Sequence, residues 1–364
     1  MKTREDRKRL SRGAAALMAL VAVVLVGCNQ QGWPEPNYGP IEFGAASIVA
    51  SQTRAVVDQE AIDGGGVNVY VHATKDNARL YPITQSAIGE QIVQNMSNAK
   101  WLPKTSGNVR QWVAESQYSF NGFAYLPTNA TSSGGGLSIG SYGKEITVSQ
   151  PSTYQPEKMI DYLYSHTFST PGAARPLVVL DMEHALPLVE IHIVKHESIE
   201  AAYLENLTIS NFFRSAKMNV TTPANYGSGG HNVWKIELSG TNDTSYTIAG
   251  THPQTGEASG RKAMANRGEE SESVMKMMVI PQQLDANTQL TVSYWVNERY
   301  SAESDDNYVR HEASFQLNNY TPYTWEEGHR IVYTLEVDTG IHLTGTIVPW
   351  VEVDYVEGTV LPNI

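Results

Sequence analysis

One cysteine, Cys28, is all the thiol chemistry this 364-residue chain carries. A lone thiol excludes an internal disulfide, a Cys-x-x-Cys redox pair and a cysteine-rich zinc site. Basic residues are also scarce, with 26 Lys and Arg against 38 Asp and Glu for a net charge of −12. That balance argues against nucleic acid and anionic membrane surfaces as partners, since both reward clustered Lys and Arg. After the first 27 residues no apolar run is long enough to cross a bilayer as a helix. Helical periodicity is thin as well. Only Ile88, Ile92, Val93 and Met96, and Met159, Ile160 and Leu163 behind Pro156, could line a helix face. Without crosslinks, stability must come from buried core, which a chain of this length can build most simply as two domains.

What is present begins with charge. Lys2, Arg4, Arg7, Lys8, Arg9 and Arg12 precede an uninterrupted apolar run from Ala14 to Val26. Charged, apolar and then small is the order of a secretory signal. The ending Leu25-Val26-Gly27-Cys28 resembles the bacterial lipoprotein signal, in which the cysteine is acylated and becomes the new N-terminus. Residues 1–27 are then a signal peptide, and Cys28 is the lipidation site. Stable anchoring at the outer membrane takes more than one acyl chain. Loss of six positive and two negative charges would take the net charge from −12 to −16. Residues 28–40 read as a tether, with three prolines and two glycines between Gln30 and Pro40.

Beyond the tether the apolar pattern has period two. Leu290, Val292, Tyr294 and Val296 alternate with Thr291 and Ser293, and Val189, Ile191 and Ile193 with Glu190 and His192. Val67, Val69 and Val71 repeat the pattern early, and Ile341, Leu343 and Ile347 repeat it late. Such alternation predicts strands with one buried and one wet face. The expected fold is mainly β: two tandem antiparallel β-sandwich domains with one or two short helices. Ser169–Pro176 is the expected junction, giving domains over 41–172 and 173–364.

Several patterns imitate active sites without meeting their structural demands. Gly136-Leu137-Ser138-Ile139-Gly140 fits G-x-S-x-G, but that elbow needs a strand before it and a helix after it. Glycines precede this one, and Lys144–Ser149 reads as a strand. Gly143-Lys144 has Ser138 where a phosphate loop needs its first glycine. His192 and His196 sit four apart on a predicted strand, about 14 Å at roughly 3.4 Å per residue, too far for one metal ion. Glu303, Asp305, Asp306 and Asn307 lack the glycine and closing glutamate of a calcium loop. The chain is therefore expected to be no enzyme, with no catalytic residue, metal or cofactor. Seven tryptophans and nineteen tyrosines could instead supply sugar-stacking platforms, although most such residues in β-sandwiches are core.

Taken in order, several segments resemble the fimbrillin family, the subunits of bacterial type V pili made from lipoprotein precursors. They are Trp112 with Tyr118–Pro127, Asp161-Tyr162-Leu163-Tyr164, Leu180–Leu186 running into Val189–Ile191, and Ile280-Pro281-Gln282. Trp325, Gly328, Tyr333 and the run from Ile341 to Trp350 complete the set. The resemblance implies two sandwiches of transthyretin-like topology, a short helix at Asp161–Tyr164, and a structural rather than catalytic His184.

It also implies a route of assembly. A precursor strand near the N-terminus completes a sheet, an arginine-specific protease cuts after it, and a strand from another subunit replaces it. Pro40–Ala50 is the candidate leaving strand and the bond between Arg54 and Ala55 the candidate cut. A tethered strand competes at about millimolar effective concentration, so exchange needs the cut. The candidate donor is the tail 351–364, where Val351, Val353 and Tyr355 alternate with Glu352 and Asp354. The tail as an in-place last strand of its own sandwich is the alternative. The implied partners are other pilus subunits and the protease, and the implied place is the fimbrium at the cell surface. A pilus tip or anchor, or a surface lipoprotein that binds glycan or host protein without polymerising, are the competing readings.

Overall fold

The computed structural model describes residues 39–48, 67–94, 100–140, 143–221, 233–249, 264–268, 273–297, 308–338 and 340–349. The first strands are β1 (Phe43–Ile48), β2 (Val69–Lys75), β3 (Ala78–Tyr81), β4 (Glu90–Gln94), β5 (Trp101–Pro103) and β6 (Gln117–Leu126). Next come β7 (Leu137–Ile139), β8 (Glu145–Ser149), β9 (Asp161–Ser165), β10 (Phe168–Pro171), β11 (Val178–His184) and β12 (Leu188–Lys195). They are followed by β13 (Ala202–Phe212), β14 (Ser215–Thr221), β15 (Val233–Ser239), β16 (Thr244–Ala249), β17 (Ala265–Asn266) and β18 (Met275–Met278). The last are β19 (Gln282–Gln283), β20 (Gln289–Asn297), β21 (Tyr308–Gln316), β22 (Thr324–Trp325), β23 (His329–Val337) and β24 (Ile341–Pro349).

The largest sheet runs β10-β6-β9-β11-β1-β5-β4-β2-β3, and β6 also pairs with β2. The strands β6-β9-β11-β1-β5-β4-β2 therefore close on themselves, and closure removes exposed edges. Inside lies one core that includes Ile41, Phe43, Val71, Phe120, Leu163 and Leu180. A larger core collects the apolar sides of three further sheets, ordered β17-β12-β23-β24, β16-β13-β20-β21 and β15-β14-β8-β7. Leu290, Val292, Tyr294 and Val296 all face it, as their alternation predicts.

Strands β6 and β9 form the wall between the two cores. Phe120, Ala124 and Leu163 point into the first, while Phe123, Tyr125, Tyr162 and Tyr164 point into the second. Burial on both faces explains why Tyr118–Leu126 is almost continuously apolar instead of alternating.

The mainly β sandwich architecture matches the sequence reading, but neither predicted helix face is helical among the described residues: Ile88 lies in a bend before β4, and Met159 and Ile160 lead into β9. Ile92 is buried and Val93 exposed on β4, which is period two; Met96 lies outside the described residues. Pro156–Lys158 makes a single 3-10 turn, after which Asp161–Tyr164 is fully buried β9 and not a helix. A wall strand buried on both sides offers no wet face, so its apolar residues mimic helical spacing.

Hydrogen bonding crosses the expected junction at residues 172 and 173 in both directions. β11 joins the first sheet through β1 and β9, and β8 pairs with β14. Ser169–Pro176 is the end of β10 followed by the 3-10 turn Gly172–Ala174. Three pairings among the described residues are parallel (β1 with β11, and β12 with β17 and β23), so the sheets are mixed.

Candidate strand-exchange site

The N-terminal strand is an interior member of a closed ring. β1 runs parallel to β11, with Phe43 opposite Val178, Ala46 opposite Leu180 and Ile48 opposite Met182. On its other side it meets β5 only where Phe43 faces Trp101. The approach is stitched in place: Ile41 N donates to Arg110 O at 2.8 Å, Trp112 N to Gly39 O at 3.1 Å and Val178 N to Glu42 O at 3.0 Å. Lys100 pairs with Glu42 at 2.5 Å.

The side chains carry most of the hold. Ile41 and Phe43 are fully buried. The Phe43 ring meets Phe120 edge-on at 5.9 Å and Tyr81 at 6.4 Å between centroids. Two such side chains are worth about 1.5–3 kcal/mol each when buried. If β1 left, β11 and β5 would become open edges and the Phe120, Tyr81 and Trp101 cluster would face a slot. At the other end of the chain, β24 pairs with β23 and continues directly into residues 350–364. Arg54, Ala55, Cys28 and the tail residues Val351, Val353 and Tyr355 all lie outside the described residues.

Two groups of ionisable side chains lie beyond this slot. Glu190 on β12 is buried between Arg330, whose Nη2 is 2.7 Å away, and Lys276, whose Nζ is 3.2 Å away; His192 Nε2 lies at 3.6 Å. Burial pushes its carboxyl up, but His192, Arg330 and Lys276 outweigh that and hold it at about 2. The wet face predicted at Glu190 is therefore an enclosed ion cluster. His184 donates or accepts through Nδ1 at 2.9 Å from Asp161 Oδ1, both buried, linking β11 to β9. That is a structural tie.

A cavity of about 520 Å³ is lined in part by Tyr164, Glu183, Trp325, Glu326, Glu327 and His329. Burial, with the nearby charges of Glu183 and Glu326, pushes Glu327 up to about 7 against a backbone hydrogen bond at Trp234. A carboxyl with a raised folded-state pKa is penalised once it ionises. The penalty is absent below about pH 4.5, grows toward pH 7 and is complete above it. Glu327→Gln should therefore stabilise the fold by about 1–3 kcal/mol at pH 8, after allowance for partial exposure, and by nothing measurable at pH 4. Urea unfolding at the two pH values checks this.

Motifs resembling active sites fall where they cannot act together. Ser138 is exposed on β7, which pairs antiparallel with β8, and among the described residues no α-helix follows it. His192 faces Glu190, whereas His196 lies past the end of β12 and bonds Ser198 at 2.8 Å. Among the described residues no three His, Cys, Asp or Glu side chains converge as metal ligands. Residues 303–307 lie outside the described set.

The family model described as fimbrillin-like matches residues 53–350. This chain belongs to the fimbrillin-like family. Membership supports a role as a pilus subunit at the cell surface, among structural proteins and not enzymes. No curated protein matches the sequence. Among solved structures, it is similar to a Bacteroides uniformis protein assigned to cell adhesion, at 14% identity and a TM-score of 0.49 over 85% of this chain and 98% of that one. A Parabacteroides distasonis fimbrial assembly protein matches at 12% identity and TM-score 0.31, covering 78% and 87%. The C-terminally truncated tip fimbrial protein Mfa3 of Porphyromonas gingivalis matches at 9% and 0.29, covering 78% and 94%.

The segments that carry the fimbrillin resemblance are core or close contacts. Trp325 Nε1 donates to Tyr333 OH at 3.2 Å, and Tyr333 OH donates to Pro322 O at 3.2 Å. A Cβ at Gly345 would lie 2.2 Å from Thr321 O, so only glycine fits that close approach.

Proposed function

We propose that this fimbrillin-like chain is a stalk subunit made as a lipoprotein, acylated at Cys28, cut between Arg54 and Ala55, and polymerised by replacing β1 with a neighbour's strand. The observation that carries the reading is the position of β1. It is seated between β11 and β5 with Ile41 and Phe43 in the core, and it comes just before the stretch that contains Arg54. The family match opens at residue 53, next to Arg54.

An incoming strand must offset the ordering of its own backbone, about 1–2 kcal/mol per residue. It gains about 0.5–1.5 kcal/mol per ladder hydrogen bond and 1.5–3 kcal/mol per buried apolar side chain. The tail 351–364, with Val351, Val353 and Tyr355 on one side, has the length and alternation for this, and its acidic residues would sit on the outer face.

Protein recovered from assembled filaments should begin at Ala55. A chain lacking residues 351–364 should export and be cut yet form no filament visible by electron microscopy. Filaments from the truncated chain would remove the tail as donor. Filaments that still begin at Cys28 would remove the cut.

A further inference from the structure

A second cavity of about 520 Å³ lies where the Pro127–Gly136 loop, the stretch after β8 and the β13–β14 turn meet. Asn129, Ser132, Ser149 and Ser152 supply its polar wall, and Lys158 and Arg214 its charge. No carboxylate lines it, in a chain with an excess of acidic residues; Glu157, next to Lys158, is not part of the lining. Among the described residues neither Lys158 nor Arg214 has an ion-pair partner.

Arg214 is held ready. Its Nη1 donates to Gln150 O at 2.9 Å, and Gln150 N donates to Arg214 O at 2.8 Å. Gln150 is itself buried and clamps Ile160 both ways, through Nε2 to Ile160 O at 2.9 Å and Oε1 from Ile160 N at 2.8 Å. Among the described residues one of the five guanidinium N–H donors is engaged, and the others are open to a ligand. Ser149 Oγ accepts from Ser215 Oγ at 2.8 Å, which leaves its own proton to donate. The facing loop is drawn tight by glycine: Gly134 and Gly136 have φ of +83° and +85°, and a Cβ at Gly136 would lie 2.5 Å from Ser149 O.

We propose that this pocket binds a carboxylated sugar, a uronic or sialic acid residue, with Arg214 and Lys158 on the carboxylate. Asn129, Ser132, Ser149 and Ser152 then meet the hydroxyls, as donors or acceptors. The planar arginine fork suits a carboxylate. Pro127, Pro151 and the glycine loop give the wall an apolar share comparable to its polar one, a mixture that suits the C–H face of a sugar ring beside its hydroxyls. The site needs no partner subunit, so it acts in the monomer whether or not the chain polymerises.

The test is calorimetric titration of the purified monomer with glucuronate and N-acetylneuraminate, with glucose, inorganic phosphate and an oligoglutamate peptide run alongside. One of the sugar acids should bind saturably and glucose should not. Lys158→Ala and Arg214→Lys should each weaken that binding at least tenfold with unchanged melting. Lys158 is exposed, so its variant folds in any case. Any of four results overturns the proposal: no binding of either sugar acid, equal binding of glucose, phosphate or peptide binding as tight as the sugar acid, or unchanged affinity in Lys158→Ala.

Discussion

Phe43→Ala should destabilise the uncut chain by about 3–5 kcal/mol and leave the assembled filament unchanged. The first half follows from burial: the ring is fully enclosed, touches Phe120 and Tyr81, and has no room to be replaced by water. Deleting it removes the transfer free energy of the side chain and leaves a cavity that the ring of strands cannot collapse around. The second half follows from the proposed exchange, because in the filament β1 has gone and residue 43 with it. Urea unfolding of the precursor and heat dissociation of filaments measure the two halves separately. Equal loss in both would mean that β1 stays in the filament. No loss in the precursor would mean that the strand is not seated as described.

Strands were legible where an alternating face is buried, as on β2 and β20; on β24 the alternation marks a strand, but Ile347 is 46% exposed while Leu343 is buried. β20 shows all four apolar positions in the core, and Val67, Val69 and Val71 are likewise buried. A strand was legible within Pro40–Ala50 too, and β1 occupies Phe43–Ile48 of that stretch. What periodicity could not give was partner choice. Nothing in Phe43–Ile48 says that it pairs in parallel with Val178–His184, far along the chain, since register across a long loop is set by shape and not by a local pattern. The same holds for β8 and β14, whose pairing carries the sheet past residue 172. One wall strand, β9, misled in the opposite way: with both faces buried, Asp161–Ser165 loses its alternation and reads like a helix turn. The sugar-acid pocket was invisible because its parts come from three separate segments, and the glycines at 134–136 read simply as a turn.

The other large effect belongs to Glu190. Its folded carboxyl sits at about 2 against an ordinary 4.5, so the folded chain binds that proton more weakly than the unfolded one. Stability from the cluster is then fully present above about pH 5 and is lost as the pH falls toward 2. At about 1.4 kcal/mol per unit, the loss is on the order of 3 kcal/mol. Glu190→Gln imitates the protonated state with little change of shape. It should therefore cost about 2–3 kcal/mol at pH 7, and the two proteins should converge near pH 2. Arg330 and Lys276 keep a route to solvent, with side chains 20% and 30% exposed, so the variant strands no fully buried charge and should still fold. Unfolding midpoints measured from pH 2 to pH 8 decide it. A constant gap between variant and parent across that range would mean that packing, not charge, holds β12 to β23 and β18 at this point.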